Sequence, residues 1–272
     1  MRSAFFAILC LALLGACASK KEGMKSKQGE LYFGAGTQNL LDQEYTLALQ
    51  NLIKANDLEP NNSEIMNNLG MAYYFKGEVD LAVKYLEQAI ILKDKNTDAK
   101  VNLASIYFNQ GKADEAEALY KKVLKDLTYE KQARTYYNLG IVEIDRKNTD
   151  AAEKYFKRSL VEDDNYCPAY FQLGLMQFKR RQFNTALKNF KEAALGTCYN
   201  APAPVYYQAL TLAELKQYED SRIRFEEVIS RFAKSDYATK ARAKTLELNK
   251  IESRYKMEDM HASGKVLESP DF

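Results

Sequence analysis

The sequence predicts an all-α protein, a solenoid of stacked helix–turn–helix repeats. Three observations predict it. First, a short motif of a polar amide, Leu and a small residue recurs at fixed spacing. Asn68-Leu69-Gly70 is followed 34 residues later by Asn102-Leu103-Ala104, and Asn138-Leu139-Gly140 is followed 34 residues later by Gln172-Leu173-Gly174. Second, Tyr73 and Tyr107 trail the first two of these motifs at the same offset. Third, 12 glycines and 5 prolines in 272 residues leave little to interrupt helix. A sequence period of about 20 to 50 residues marks a repeat architecture, in which each period is one supersecondary unit.

Aligned on that period, the chain resembles the tetratricopeptide-repeat family. That pattern asks for a bulky residue at position 4, Leu at 7, Gly or Ala at 8, an aromatic at 11, Ala at 20, a bulky residue at 24, Ala at 27 and Pro at 32. The unit from Gly29 supplies Tyr32, Ala35, Gly36, Ala48, Leu52, Ala55 and Pro60, with Asn39 in the aromatic place. The unit from Ser63 supplies Met66, Leu69, Gly70, Tyr73, Ala82, Leu86 and Ala89. The unit from Thr97 supplies Leu103, Ala104, Tyr107, Ala116 and Tyr120, with Val123 for the second Ala. A two-residue slip at Lys131-Gln132 precedes the unit from Ala133, which supplies Tyr136, Leu139, Gly140, Ala152 and Phe156. The unit from Cys167 supplies Tyr170, Leu173, Gly174, Ala186, Phe190 and Ala193. The unit from Pro202 is degenerate, with Val205, Ala209, Ser221 and Phe225. The resemblance implies a right-handed superhelical solenoid of about six such units, over residues 29–235.

The packing logic agrees. Small residues at positions 8 and 20 let the two helices of a unit approach, and bulky residues at 4, 7, 11 and 24 fill the space between units. One unit cannot bury its apolar face alone, so neighbours must stack and the last must be shielded. Residues 236–257, with Ala238, Ala241, Leu246, Leu248 and Ile251 set among Lys, Arg and Glu, read as that capping helix. Residues 258–272 contain Ser263, Gly264 and Pro270 and read as a flexible tail. Residues 17–28 read as a polar flexible tether.

The start of the chain departs from this pattern. Arg2 precedes an apolar stretch over residues 4–16, the layout of a signal peptide and too short for a spanning helix. Leu14-Gly15-Ala16-Cys17 resembles the lipobox of bacterial lipoproteins. The resemblance implies cleavage before Cys17, a lipid on its sulfur and acylation of the freed amine. Acyl chains insert at about 0.8 kcal/mol per buried CH₂, so several anchor a protein firmly. Ala18 stands where Asp would retain a lipoprotein of diderm bacteria in the inner membrane. The expected location is therefore the periplasmic face of the outer membrane.

Removal of residues 1–16 takes the chain from 272 to 256 residues and its net charge from +2 to +1, Arg2 being the one charge lost. Nucleic-acid binding needs concentrated Lys and Arg, which so balanced a chain does not supply. The single histidine, His261, sits in the expected tail. No converging His, Cys and carboxylate set is visible, so no metal or other cofactor is expected. Gly34-Ala35-Gly36 lies within a helical repeat and reads as packing, and Asp163-Asp164 falls at a helix end and reads as a solvated turn. Neither a phosphate-binding loop nor a GxSxG elbow occurs. No catalytic residue and no small-molecule substrate are therefore expected.

Cys10 leaves with the leader and Cys17 carries lipid, which leaves Cys167 and Cys198 at positions 1 and 32 of one unit. Those positions lie at the same end of an antiparallel helix pair, in a compartment that permits disulfides. A bridge is the expectation and two buried thiols the alternative.

Tetratricopeptide arrays usually bind a partner along the face lined by positions 2, 5, 9, 12 and 13 of the first helices. Here those positions offer Phe33 and Leu40, then Met71, Tyr74 and Phe75, then Val101 and Phe108, then Tyr137 and Ile141, then Phe171, Leu175 and Phe178. Phe33 and Thr37 stand where chaperone-binding members carry parts of a carboxylate clamp, so that clamp is missing. The expected surface is an apolar, aromatic trough suited to an amphipathic helix or an extended apolar segment, in which some of these residues turn inward as packing because positions 5 and 12 can do so.

Lipobox, short tether, six units and late paired cysteines together resemble the type IV pilus biogenesis and stability lipoproteins, the pilotins of the pilus secretin. That resemblance implies a lipid on Cys17, a bridge between Cys167 and Cys198, and secretin subunits held in the first-half groove for delivery to the outer membrane. Two other roles fit the same pattern: a scaffold for outer-membrane protein assembly, and an adaptor for an envelope protease or peptidoglycan enzyme.

Overall fold

The computed structural model describes residues 24–262, which are helical with short connections. The lipobox, Cys17 and residues 1–23 as a whole lie outside the described residues, as do residues 263–272. The chain forms two compact units that meet in sequence between Glu130 and Lys131, at the slip in the repeat period.

The first unit holds three helix pairs. Helix α1 spans residues 24–41. It pairs with α2 (Tyr45–Leu58), α3 (Ser63–Phe75) with α4 (Val79–Leu92), and α5 (Thr97–Asn109) with α6 (Ala113–Val123). The second unit holds α7 (Gln132–Asp145) with α8 (Thr149–Glu162), α9 (Cys167–Lys179) with α10 (Phe183–Glu192), and α11 (Pro202–Glu214) with α12 (Tyr218–Arg231). A short 3-10 turn, Gly196–Cys198, precedes α11, and α13 (Asp236–Ala262) ends the array.

The six helix pairs coincide with the six sequence units, and the periodic positions explain why. Position 20 is Ala48, Ala82, Ala116, Ala152, Ala186 and Ser221, each fully buried. Position 24 is Leu52, Leu86, Tyr120, Phe156, Phe190 and Phe225, also closed to solvent. The glycines at position 8 sit directly under these large side chains. A Cβ added to Gly70 would stand 2.7 Å from Leu86 Cγ, and one added to Gly140 would stand 2.5 Å from the Phe156 ring. Position 24 therefore fills the interior of its own helix pair, not only the gap between neighbouring pairs. Where Ser replaces Ala, its hydroxyl finds a backbone acceptor. Ser221 Oγ donates to the Ala209 carbonyl at 2.8 Å, and Ser159 Oγ donates to the Ala133 carbonyl at 2.8 Å.

Position 11 shows a second substitution rule. Where the aromatic is missing in the first, fourth and fifth units, a polar side chain reaches the paired helix or its turn, and the sixth unit carries the buried Leu212 instead. Asn39 donates to Glu44 and accepts from Asn51. Glu143, buried, accepts from Arg146 at 3.1 Å and Asn148 at 2.8 Å. Gln177 accepts from Asn189 at 2.6 Å. The buried Glu143 carboxylate is thereby satisfied.

The turn inside every pair passes through one left-handed residue at position 15. These are Gln43, Gly77, Gly111, Lys147, Arg181 and Lys216, with φ between 59° and 85°. Only Gly77 and Gly111 take this region without a Cβ penalty. Asn62, Asn96 and Asn148 cap helices α3, α5 and α8 by accepting backbone N–H bonds.

Two expected boundaries shift. The tether was expected to run to residue 28, but α1 begins at residue 24. Lys25, Lys27 and Gln28 are good helix formers, and Ser26 Oγ donates to Glu59 at 3.4 Å. Gly29 is buried against the same Glu59, which ties this extra turn to α2. At the other end α13 runs to Ala262, through the first five residues of the expected tail. Residues 258–262 contain no glycine or proline, and Gly264 is the first helix breaker beyond them. Ala238, Ala241 and Leu248 of α13 are buried, and the latter two join a core cluster with Val205, Phe225 and Val228. Leu246, expected on that apolar face, is instead 64% exposed. The side chain of Ile251 lies outside the described ones.

Candidate functional site

In the first unit the binding positions lie on α1, α3 and α5. Phe33 and Leu40 are half-buried and pack on the cluster of Ala48, Leu52 and Ala55. Met71, Tyr74 and Phe108 are half-buried as well. Phe75 is 47% exposed, the most open of the twelve expected trough residues, and stacks on Tyr45 with ring centroids 4.8 Å apart. Tyr74 meets Phe75 edge-on and accepts a hydrogen bond from Asn109 Nδ2 at 2.7 Å. Val101 corrects the expectation: it is completely buried. The α5 segment around it, residues 101–104, is buried throughout, so Val101 is core and not lining.

A feature absent from the sequence reading runs beside these aromatics. Asn102 Nδ2 donates to Asn67 Oδ1 at 2.9 Å, Asn67 donates to Asn68 at 3.0 Å, and Asn68 donates to the Thr37 hydroxyl at 2.8 Å. Thr37 in turn donates to the Phe33 carbonyl. The polar chain joins all three first helices of the unit. Asn102 is buried and anchors this polar chain, while the half-buried Thr37, Asn67 and Asn68 make the first-unit face more mixed than the expected apolar trough. The Asn at position 6 of successive units was the available signal.

In the second unit the expected residues interlock. Tyr137 packs on the Phe156 ring at 5.7 Å and meets Tyr166 edge-on at 5.7 Å. Burial pushes the Tyr137 phenol up from its ordinary range, and pushes that of Tyr166 up to about 12. Ile141 packs on the same cluster. Phe171 and Phe178 both meet Tyr207, at 5.6 and 6.2 Å, and Tyr207 also faces Phe190 and Tyr206. Tyr207 is the hub of this group and was missed because it occupies no binding position of the aligned pattern. Leu175 is half-buried.

Cys167 and Cys198 are joined by a disulfide with Cα atoms 6.1 Å apart. Beside it the Arg231 guanidinium lies 3.6 Å from the centroid of the Tyr199 ring and donates to the Tyr199 carbonyl. Bridge and cation together hold the loop between α10 and α11.

Asp163 and Asp164 lie exposed in the turn after α8, where both bond to Asn165. Of the expected Gly34-Ala35-Gly36 packing motif, only Gly36 packs, with its Cβ position 2.6 Å from Leu52; Gly34 faces open space. His261 lies in the last turn of α13. Among the described residues no group of His, Cys, Asp and Glu is placed to hold a metal ion, and no helix is long and apolar enough to cross a membrane. A depression of about 530 Å³, lined by Glu59, Pro60, Asn62, Glu64, Leu92 and Lys93, contains none of the twelve trough residues.

The chain carries tetratricopeptide repeats. Models of that repeat match residues 63–96, 97–160 and 205–235. No curated protein matches the chain. Among solved structures, Pseudomonas aeruginosa PilF is 18% identical with a TM-score of 0.65, covering 81% of this chain and 99% of its own. PilW, a widely conserved type IV pilus biogenesis factor, is 19% identical with a TM-score of 0.64, covering 78% and 97%. A human IFIT1 dimer with PPP-AAAA is 18% identical with a TM-score of 0.67, covering 89% of this chain and 60% of its own. At these identities the likeness is one of fold, an all-α tetratricopeptide solenoid, which is a scaffold for protein interaction.

Proposed function

We propose that this protein is an outer-membrane lipoprotein of the periplasm that binds secretin subunits of the type IV pilus and promotes their localisation and multimerisation. The observation that carries the reading is a pairing: a lipobox-like Leu14-Gly15-Ala16-Cys17 a few residues before an array of six repeats. The extent of the array supports it, because PilF and PilW share this fold over 99% and 97% of their own lengths. In this reading the acyl chains on Cys17 supply location, and the first-unit face supplies recognition. The half-buried Asn67, Asn68 and Thr37 offer polar contacts to a bound backbone, while Phe75, Tyr74 and Phe33 offer apolar ones. The protein acts by binding, without catalysis of its own.

The test is the amount of secretin multimer in outer-membrane fractions, run unboiled on a denaturing gel, in wild-type and deletion strains. Multimers should vanish on deletion while the secretin monomer persists. Unchanged multimers would sink the secretin role and move the function to outer-membrane assembly or to an envelope adaptor.

A further inference from the structure

In the second and third repeats, positions 3, 7 and 10 are closed by the preceding helix pair. Ile65, Leu69 and Ala72 are fully buried in one cluster with Ala48, Leu52 and Ala55 of α2. Ala99, Leu103 and Ile106 are buried in one cluster with Ala82, Leu86 and Ala89 of α4. The same positions of the first repeat are Leu31, Ala35 and Gln38, and all three are exposed, Leu31 at 68%. Met24 and Leu41 extend the open stripe along α1, at 62% and 72% exposure. Gly34 lies in its middle with nothing within 4 Å of a Cβ position, although mid-helix glycine costs stability and the position-8 glycines are packed by large side chains. Among the described residues, the face that the second and third repeats bury is bare here, with a small-residue crossing point at its centre.

We infer that a second copy of this chain covers that face, by antiparallel packing of α1 on α1 about a two-fold axis between Gly34 and Ala35. Its small residues and its end charges are self-complementary under that operation. Gly34 meets Ala35 of the other copy, which allows close approach, and Leu31 meets Gln38. Lys27 meets Asp42 at both ends, so that two opposite-charge pairs flank the crossing. Asp42 accepts bonds from Gln38 of its own chain and is exposed, leaving it accessible to a facing cation. Any shift of register breaks these pairs, and a parallel pairing would set like charges together. A two-fold contact of one surface with itself is the commonest form of homo-oligomer, and it extends the inter-repeat packing by one further layer. The same packing gives no role to the lipid anchor or to the inner faces of the repeats, so it stands apart from the pilus reading.

The test is disulfide trapping of the full chain in intact cells. Ala35→Cys places two thiols beside the axis, within the roughly 7 Å Cα separation that a disulfide tolerates. Leu127→Cys, at a site 87% exposed and elsewhere in the first unit, is the control. After mild oxidation, Ala35→Cys should run as a dimer on a non-reducing gel, while the control and the parent chain stay monomeric. Asp42→Lys should weaken the dimer about tenfold, the loss expected from two exposed ion pairs, and Lys27→Asp combined with Asp42→Lys should restore it. A monomer at position 35, a trapped band of another mass, or failure of the charge swap to restore the dimer would each overturn the proposal. The second of these would mean that a different protein covers the face.

Discussion

Gly140 and Phe156 state the packing rule of each repeat at its smallest. The Phe156 ring occupies the volume that a Cβ on residue 140 would need, at 2.5 Å. Gly140→Ala must displace a fully buried ring, so it should cost about 1–3 kcal/mol of stability by the usual price of overpacking. Chemical denaturation would measure it, and Phe156→Leu in the same chain should recover part of the loss. Equal losses with and without Phe156→Leu would mean that the ring is not the obstacle. Tyr166 carries a second single-residue consequence. Burial raises its phenol from an ordinary 10.0 to about 12, with the neighbouring Tyr137 adding to the shift. The unfolded chain ionises first, so the stabilisation from the neutral phenol is complete below pH 10 and is lost as pH rises toward 12. Thermal melts across that window should fall more steeply for the parent chain than for Tyr166→Phe. Identical slopes would assign the alkaline loss elsewhere.

At the scale of the element, turns and connections depart most from what the sequence displays. The small and large positions 8, 20 and 24 repeat visibly, so the helix pairs and their interiors were legible residue by residue. The left-handed turn at position 15 was not. Gly77 and Gly111 mark it in two repeats, whereas Gln43, Lys147, Arg181 and Lys216 hide it in four. A left-handed Lys costs roughly 1–2 kcal/mol, and glycine gives back about half of that in chain entropy. Lys147→Gly, at an exposed site with φ of 62°, should therefore stabilise the second unit by about 0.5–1 kcal/mol, read as a higher denaturation midpoint. The bridge from α9 to the loop before α11 is the other device at this scale. It spans 31 residues of sequence and should contribute roughly 3–4 kcal/mol by chain entropy. The Cys167→Ser, Cys198→Ser double variant should lose that stability in the second unit and leave the first unit's transition in place. A loss of the same size in both transitions would mean that the units do not unfold separately.

For the whole molecule, the sequence carried the six helix pairs, because burial is imposed by a period. It carried the binding face less well. Val101 was placed on that face by its position, yet nothing in the period distinguishes a lining valine from a core one, and it is core. The Asn67, Asn68 and Asn102 ladder escaped notice because side-chain amides join across repeats only once the helices are stacked. Phe75 alone of the twelve trough residues keeps nearly half its surface open, which makes it the sharpest probe of recognition. In the proposed reading anchor and recognition are separable functions of one chain. Phe75→Asp adds a charge at an exposed site, so it should leave the fold and membrane fractionation intact while cutting the secretin multimer on the unboiled gel severalfold. Cys17→Ala should do the converse, releasing the chain from the membrane fraction while purified protein still captures secretin. Loss of multimers in both variants, with location changed only by Cys17→Ala, is the expected pattern. Normal multimers in Phe75→Asp would remove the first-unit face from the mechanism. Normal multimers in Cys17→Ala would mean that the array alone suffices and that delivery by the anchor is no part of the function.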